Sequence, residues 1–249
     1  MERSDFVRDG ASFEMPDTHS SSPEYASRFS GATGRWLLEV QNRATAALLD
    51  DLIFNSVIDV GGGHCQNLPL LLRYCREVTV VGSNVGNPDL LRPFLRDGHV
   101  VFKSARLEQT GLAERSFEVV LSYRILAHLH DWQALVAELC RLANTSVLVD
   151  FPVRAGFNTL SNHLFGIKKA IEGNTRPYSL FDENEVRREF NNHGFILHSR
   201  RAQFFWPMAL HRLHRSRLFG QLLEALPLLT GMTKRFGSPV IARFDRKDR

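Results

Sequence analysis

The sequence predicts an α/β fold of Rossmann type: a seven-stranded, mostly parallel sheet with helices on both faces, an N-terminal helical cap and an inserted helical lid. Three observations carry that prediction. Short apolar runs alternate with helical stretches of about ten residues, the rhythm of βαβ units. The strands are apolar throughout instead of alternating, as a sheet covered on both faces requires. The first of them runs straight into a glycine triplet, Val57-Ile58-Asp59-Val60-Gly61-Gly62-Gly63, where the backbone can turn tightly and approach a ligand closely.

The 249 residues, 43% of them hydrophobic, suffice for one sizeable core. Three cysteines (Cys65, Cys75, Cys140) are too few for a disulfide framework and point to reduced thiols in a cytoplasmic setting. The N-terminus lacks the apolar core of a secretory signal, and no run of about 18 apolar residues is long enough to span a membrane. Charge is uneven: residues 1–149 carry 14 Lys/Arg against 18 Asp/Glu, and residues 150–249 carry 17 against 9. A basic C-terminal part faces phosphates, anionic lipid or an acidic substrate, or is simply a solvated face.

Residues 1–22 read as a polar, poorly ordered lead, and 23–249 as one domain. Within it, 23–51 is the helical cap, divided near Gly31 and Gly34. Residues 56–150 form the core. Its strands are Ser56–Val60, Val78–Val81, Val100–Phe102, Phe117–Ser122 and Ser146–Asp150. Its helices are Leu68–Tyr74, Asp89–Arg96 behind Pro88, and Trp132–Leu142 behind an Asp131 N-cap. Residues 151–235 supply lid and acceptor elements. They comprise a helix near Leu160–Ile171, the helix Asp182–His193 stopped by Gly194, a sixth strand Phe195–Phe204, and a basic amphipathic helix Pro207–Ala225. Residues 236–249 hold the last strand, Pro239–Phe244, and a tail.

The glycine turn discriminates between ligand classes. A dinucleotide fingerprint needs a glycine where Gln66 stands. An acidic residue just before the glycines suits a cation and repels a pyrophosphate. Taken alone, the turn is also compatible with a purely structural role.

From Asp59 to Asp150 the chain resembles the class I S-adenosylmethionine-dependent methyltransferase superfamily, especially its small-molecule branch related to quinone-biosynthesis methyltransferases. The pieces occur in order: Asp59-Val60-Gly61-Gly62-Gly63, Val80-Val81-Gly82-Ser83-Asn84, Ala105-Arg106-Leu107, Ser116-Phe117-Glu118-Val119-Val120, and Leu126-Ala127-His128-Leu129-His130-Asp131-Trp132. The resemblance implies S-adenosylmethionine as cofactor. Asp59, Gly61, Gly62 and Gly63 would cradle its amino-acid end, Asn84 its ribose, and Arg106 and Leu107 its adenine, with Tyr123 lining the site and Arg28 meeting the carboxylate.

Three positions depart from the pattern. Cys65 stands for a glycine. Asn84 stands for an acidic residue, which weakens a ribose contact by about tenfold. Arg106 stands for an aspartate.

Methyl transfer to a phenol or enol needs a base. His128, just past the fourth strand, is the candidate; the same histidine equally serves as loop packing. Tyr25, His163 and Tyr178 are the candidate acceptor contacts, from the cap helix and from the 157–178 stretch. Aromatics at 204–206 lead into the basic helix, which either rests on a membrane surface or packs on the domain.

The expected partner is a small-molecule methyl acceptor methylated at oxygen or carbon. The alternative is a non-catalytic binding or regulatory relative. Nucleic-acid modification has the basic third in its favour but lacks an N-P-P-Y-type tetrad. No metal-ligand spacing and no G-x-S-x-G elbow is found.

Overall fold

The computed structural model describes residues 17–20, 22–83, 88–96, 98–154 and 178–247. The strands β1 (Val57–Val60), β2 (Val78–Gly82), β3 (Val100–Ser104), β4 (Phe117–Ser122), β5 (Ala143–Phe151), β6 (Phe195–Ala202) and β7 (Val240–Arg246) form one sheet, in the order β3-β2-β1-β4-β5-β7-β6. β1 to β5 pair in parallel, and β7 runs antiparallel to both its neighbours. The expected seven-stranded, Rossmann-like sheet is therefore the one observed.

Helices cover both faces because successive side chains of each buried strand point opposite ways. On one face Ile58, Val60, Val120 and Val147 pack with Leu135 and Leu139 of α6 (Trp132–Leu142) and Phe190 of α7 (Glu183–Asn192). The Phe190 ring stacks on Phe244 of β7 at 3.8 Å. On the other face Val57, Val80, Val119 and Leu121 pack with Leu48 and Leu49 of α3 (Gly31–Leu49), Leu68 and Leu71 of α4 (Leu68–Leu71), and Leu91 of α5 (Pro88–Arg96). Asp131 caps α6 by accepting from the Ala134 N–H at 3.1 Å, and Asp182 caps α7 likewise.

Three readings are corrected. The end of the lead is ordered: Asp17–Ser20 forms α1, followed by α2 (Pro23–Ser27). The basic helix is two helices, α8 (Met208–His214) and α9 (Arg217–Leu229), because Arg215 turns left-handed at φ 48° and Ser216 starts a new N-cap on the Phe219 N–H. A further helix, α10 (Met232–Phe236), precedes the last strand. The helix expected near 160–171 lies outside the described residues, and with it most of the lid. Cys65, Cys75 and Cys140 are all buried and unpaired.

Candidate active site

β1 delivers Asp59 to the carboxyl edge of the sheet, between β2 and β4, where the strand order reverses. Open α/β sheets bind ligands in that crevice. The chain leaves β1 through Gly61 at φ +82°, whose N–H donates to the Val81 carbonyl at 2.8 Å. A β-carbon on Gly61 would fall 2.6 Å from the Ile125 side chain, and one on Gly62 would fall 2.4 Å from the Asp59 carboxylate. Glycine is thus required twice, once for a left-handed backbone and once because the acid folds back under the loop. Gly62–His64 makes a single 3₁₀ turn, closed by Cys65 at φ 58°. That left-handed conformation explains why the related pattern has glycine where Cys65 stands.

A relay of side chains fixes the acid. One oxygen of the fully buried Asp59 accepts from Asn67 Nδ2 at 3.0 Å, and Asn67 Oδ1 accepts from Gln41 Nε2 at 2.9 Å. Gln41 Oε1 in turn accepts from an Arg124 Nη at 2.5 Å. Arg124 is left-handed at φ 64°, its N–H donates to Asp150 at 2.5 Å, and its guanidinium carbon lies 4.2 Å from the centroid of the Phe29 ring.

Around this turn four buried polar atoms have no partner: Asp59 Oδ1, His64 Nε2, Gln66 Oε1 and Arg124 Nη1. A buried orphan costs about 1–3 kcal/mol, so four at one turn mark the place of a polar ligand. His64 Nδ1 accepts from the Gln66 N–H at 3.1 Å, so in the neutral ring Nε2 bears the proton and is a donor. The set is then two acceptors, one of them anionic, beside two donors, one of them cationic. It is the complement of an ammonium and a carboxylate on one carbon.

Burial dominates the electrostatics. It pushes the Asp59 carboxyl up to about 7 against the pull of Asn67 and Arg124, and Asp150 up to about 6. Burial, then the Arg124 charge, holds His64 down to about 3, so the ring is neutral at physiological pH. An ammonium ligand needs Asp59 ionised. Affinity for an amino-acid-bearing ligand should therefore fall as pH drops below about 7, by up to about tenfold per unit, and level off above it. Calorimetric titrations across that range check this, and a flat profile would count against Asp59 as the ammonium contact.

The expected site residues fare unequally. Asp59, Gly61, Gly62 and Gly63 form the loop as read. Leu107 is buried, with a methyl 3.5 Å from where a Gly61 β-carbon would stand, so the loop after β3 does reach the glycine turn. That loop is tied down by Glu138 of α6, which accepts from the Thr110 N–H at 2.8 Å. Arg106 is exposed in the same loop, bridged through its backbone to Gln109. His128 and Tyr178 come together, ring centroids 5.7 Å apart, with the Ser179 N–H donating to the Ala127 carbonyl at 2.9 Å. Tyr25 packs on Phe29 at 5.6 Å. Asn84 and His163 lie outside the described residues.

Two readings change. Tyr123 does not line the site: it is fully buried between the sheet and α3, its hydroxyl 3.0 Å from Thr45 Oγ1. Because Thr45 Oγ1 donates to the Gln41 carbonyl, the Tyr123 hydroxyl is the donor of that pair. Tyr123→Phe should cost about 1 kcal/mol of stability by urea unfolding and leave ligand affinity unchanged. Arg28 has its guanidinium over the Tyr25 ring at 5.3 Å, and the cation that reaches the loop's polar cluster is Arg124.

Sequence reasoning missed Arg124 and His64, although a lone arginine in the apolar run Tyr123-Arg124-Ile125-Leu126 was a visible signal. It also missed Asp17. This buried acid accepts from the Ser83 N–H at 2.7 Å and from the Ser83 hydroxyl, placing α1 against the end of β2 and the glycine turn after β1. Nothing in a polar lead singles it out.

Residues 58–147 match the protein family described as methyltransferase domain. No curated protein matches the chain by sequence. Solved structures match it in fold. Magnesium protoporphyrin IX methyltransferase from Synechocystis PCC 6803 with bound SAH superposes with a TM-score of 0.60 at 14% identity, covering 90% of this chain and 93% of that one. The putative methyltransferase in complex with the Haloferax volcanii Trm112 activator gives 0.60 at 11%, covering 95% and 99%. The [4+2]-cyclase SpnF gives 0.56 at 13%, covering 82% and 80%. Residues 58–147 thus carry a methyltransferase domain, and the chain has the fold of the solved methyltransferases it superposes on. S-adenosylmethionine fits the acceptors and donors found at the glycine turn.

Proposed function

We propose that the protein transfers a methyl group from S-adenosylmethionine to an oxygen or carbon of a small aromatic or lipophilic molecule. The observation that supports this most is the orphaned polar set at the glycine turn, followed directly along the chain by the His128–Tyr178 pair.

When bound, the cofactor supplies an electrophilic methyl group on a sulfonium. Asp59 Oδ1 would hold its ammonium, Arg124 Nη1 and His64 Nε2–H would receive its carboxylate, and Leu107 would wall the adenine. Asn84 is assigned to the ribose. Tyr25 and Tyr178 supply aromatic surface for the acceptor, with Phe29 buried behind Tyr25. The His128 ring takes the acceptor's proton. The methyl carbon would pass to the acceptor atom, and the carbon–sulfur electron pair would stay with sulfur. Holding the two reactants in line supplies several kcal/mol, and removing the proton supplies the nucleophile.

Arg124→Gln should weaken S-adenosylmethionine binding about tenfold to a hundredfold, the worth of a charge-assisted hydrogen bond in a dry site. Calorimetric titration measures it.

The experiment for the function itself incubates the protein with methyl-labelled S-adenosylmethionine and a panel of phenols, quinols and enols. Labelled product soluble in organic solvent is expected. Saturable binding with no product across the panel would favour the second reading, a binding module, which rests on Asn84. The [4+2]-cyclase among the matching structures shares this fold, and one fold can carry more than one activity.

A further inference from the structure

The helix α9 is inside out. Toward the protein it buries Gly220, Glu224 and Pro227, with Gly220 against the Trp36 ring of α3. Glu224 accepts from the Phe205 and Trp206 N–H groups at 2.9 and 3.0 Å and from His211 at 2.9 Å. The leucines face outward. Leu218 is 73% exposed, Leu222 75%, Leu226 67% and Leu229 85%. Their spacing places them in one stripe, about 16 Å long at 1.5 Å per residue. Phe219 and Leu228 flank it, and Met232 and Phe236 of α10 extend it, all of them exposed. Scattered exposed leucines mean little, but a contiguous stripe of this size marks a surface that meets something apolar.

The exposed charge carried by α8 to α10 is cationic, with Arg217 paired to Glu39 of α3 at 2.9 Å. Between Pro207 and Phe236 the cations are Arg212, Arg215, Arg217, Lys234 and Arg235, and the one acid, Glu224, is buried. Arg215 and Arg217 stand at the N-terminal end of α9, Lys234 and Arg235 on α10, all exposed. A second copy docked about a two-fold axis would set these cations against their own kind. An anionic bilayer would take them among its headgroups and the leucines among its acyl chains. No helix among the described residues is long and apolar enough to cross a membrane, so such contact would be with the surface.

We propose that the α9–α10 face is a docking surface for anionic lipid bilayers, with α9 lying in the plane of the interface. This places the contact on α9 and α10, the C-terminal part of the basic helix read from the sequence and the helix after it, and it stands independently of the acceptor proposed above.

The test is co-sedimentation of the full chain with phosphatidylcholine vesicles, with and without about one third phosphatidylglycerol. Binding is expected to the anionic vesicles and to weaken with salt. The double variant Leu222→Glu/Leu226→Glu should lose it. Removing three cations, in Arg215→Gln/Lys234→Gln/Arg235→Gln, should weaken partitioning about a hundredfold. All these side chains are exposed, so unchanged thermal unfolding shows that the variants fold. Equal sedimentation of wild type and variants would overturn the proposal. So would a concentration-dependent dimer, seen by light scattering, that Leu222→Glu dissolves while vesicles bind nothing. Methyl-transfer activity plays no part in either readout.

Discussion

Asp59→Asn should lower the affinity for S-adenosylmethionine by about two orders of magnitude and, at the same time, stabilise the free protein above pH 7. The first effect follows from pairing. Removing one partner of a buried charge pair costs about 2–5 kcal/mol, largely because the ammonium is left without a counter-charge. The second follows from linkage. Burial holds the folded Asp59 near 7, against 3.8 when unfolded, so the folded chain keeps its proton more tightly. Stability is therefore greatest at low pH in this respect and is lost as pH rises from about 4 through 7. The full loss is on the order of 4 kcal/mol at 1.36 kcal/mol per unit. Asparagine does not ionise and escapes that loss. Its side-chain oxygen can still accept from Asn67, while its amide leaves one donor unpaired, at a cost of about 1 kcal/mol. Urea unfolding at pH 5 and pH 8 should show the variant's advantage growing with pH. Saturating S-adenosylmethionine should shrink that advantage by up to about 2.7 kcal/mol, because the wild type binds it about a hundredfold more tightly. A variant that bound as tightly as wild type would refute the assignment of Asp59 to the ammonium.

The parts of this site that were legible in the sequence are those a short-range pattern encodes. β4 and α6 were read to the residue, since Phe117–Ser122 is unbroken and Asp131 announces the helix behind it. β5 begins earlier than read, at Ala143, because Asn144 and Thr145 look like loop residues yet lie on a strand irregularly paired with β4. The break between α8 and α9 was hidden because His214-Arg215-Ser216-Arg217 contains neither proline nor glycine to mark it. The longest-range contacts were illegible in principle. Asp17 meets Ser83, Gln41 meets Arg124, and Arg243 of β7 donates to the Leu48 carbonyl at 2.9 Å. Each joins residues brought together only by the closed fold, and each uses a polar side chain that reads as surface. Arg124 went unread for that reason: only the packing of Phe29 under it and its bond to Gln41 bring it to the glycine turn.

His128→Gln should reduce kcat by about a hundredfold to ten-thousandfold on a hydroxyl-bearing acceptor while leaving the affinity for S-adenosylmethionine within about twofold. The split arises because different residues hold cofactor and proton. In the arrangement proposed above, the cofactor's amino-acid end is held by Asp59, His64 and Arg124. His128 stands at the end of the 3₁₀ turn Leu126–His128, half-buried, with its ring against Tyr178. Its backbone is fixed by the His128 N–H donating to the Ile125 carbonyl at 2.9 Å, and Tyr178 is fixed through its neighbour Ser179 on the Ala127 carbonyl. Glutamine can fill much of the space and hydrogen-bond, but it cannot take a proton near neutral pH. The acid limb of the wild-type kcat profile should therefore disappear in the variant. His128→Ala should regain part of its activity when imidazole is added to the assay, since a diffusible base then replaces the tethered one. A purely structural histidine gives the opposite signature: His128→Gln would lower the melting temperature and the cofactor affinity together, and imidazole would restore nothing. That result would remove the base from the site and leave positioning of the acceptor as the protein's contribution to the transfer.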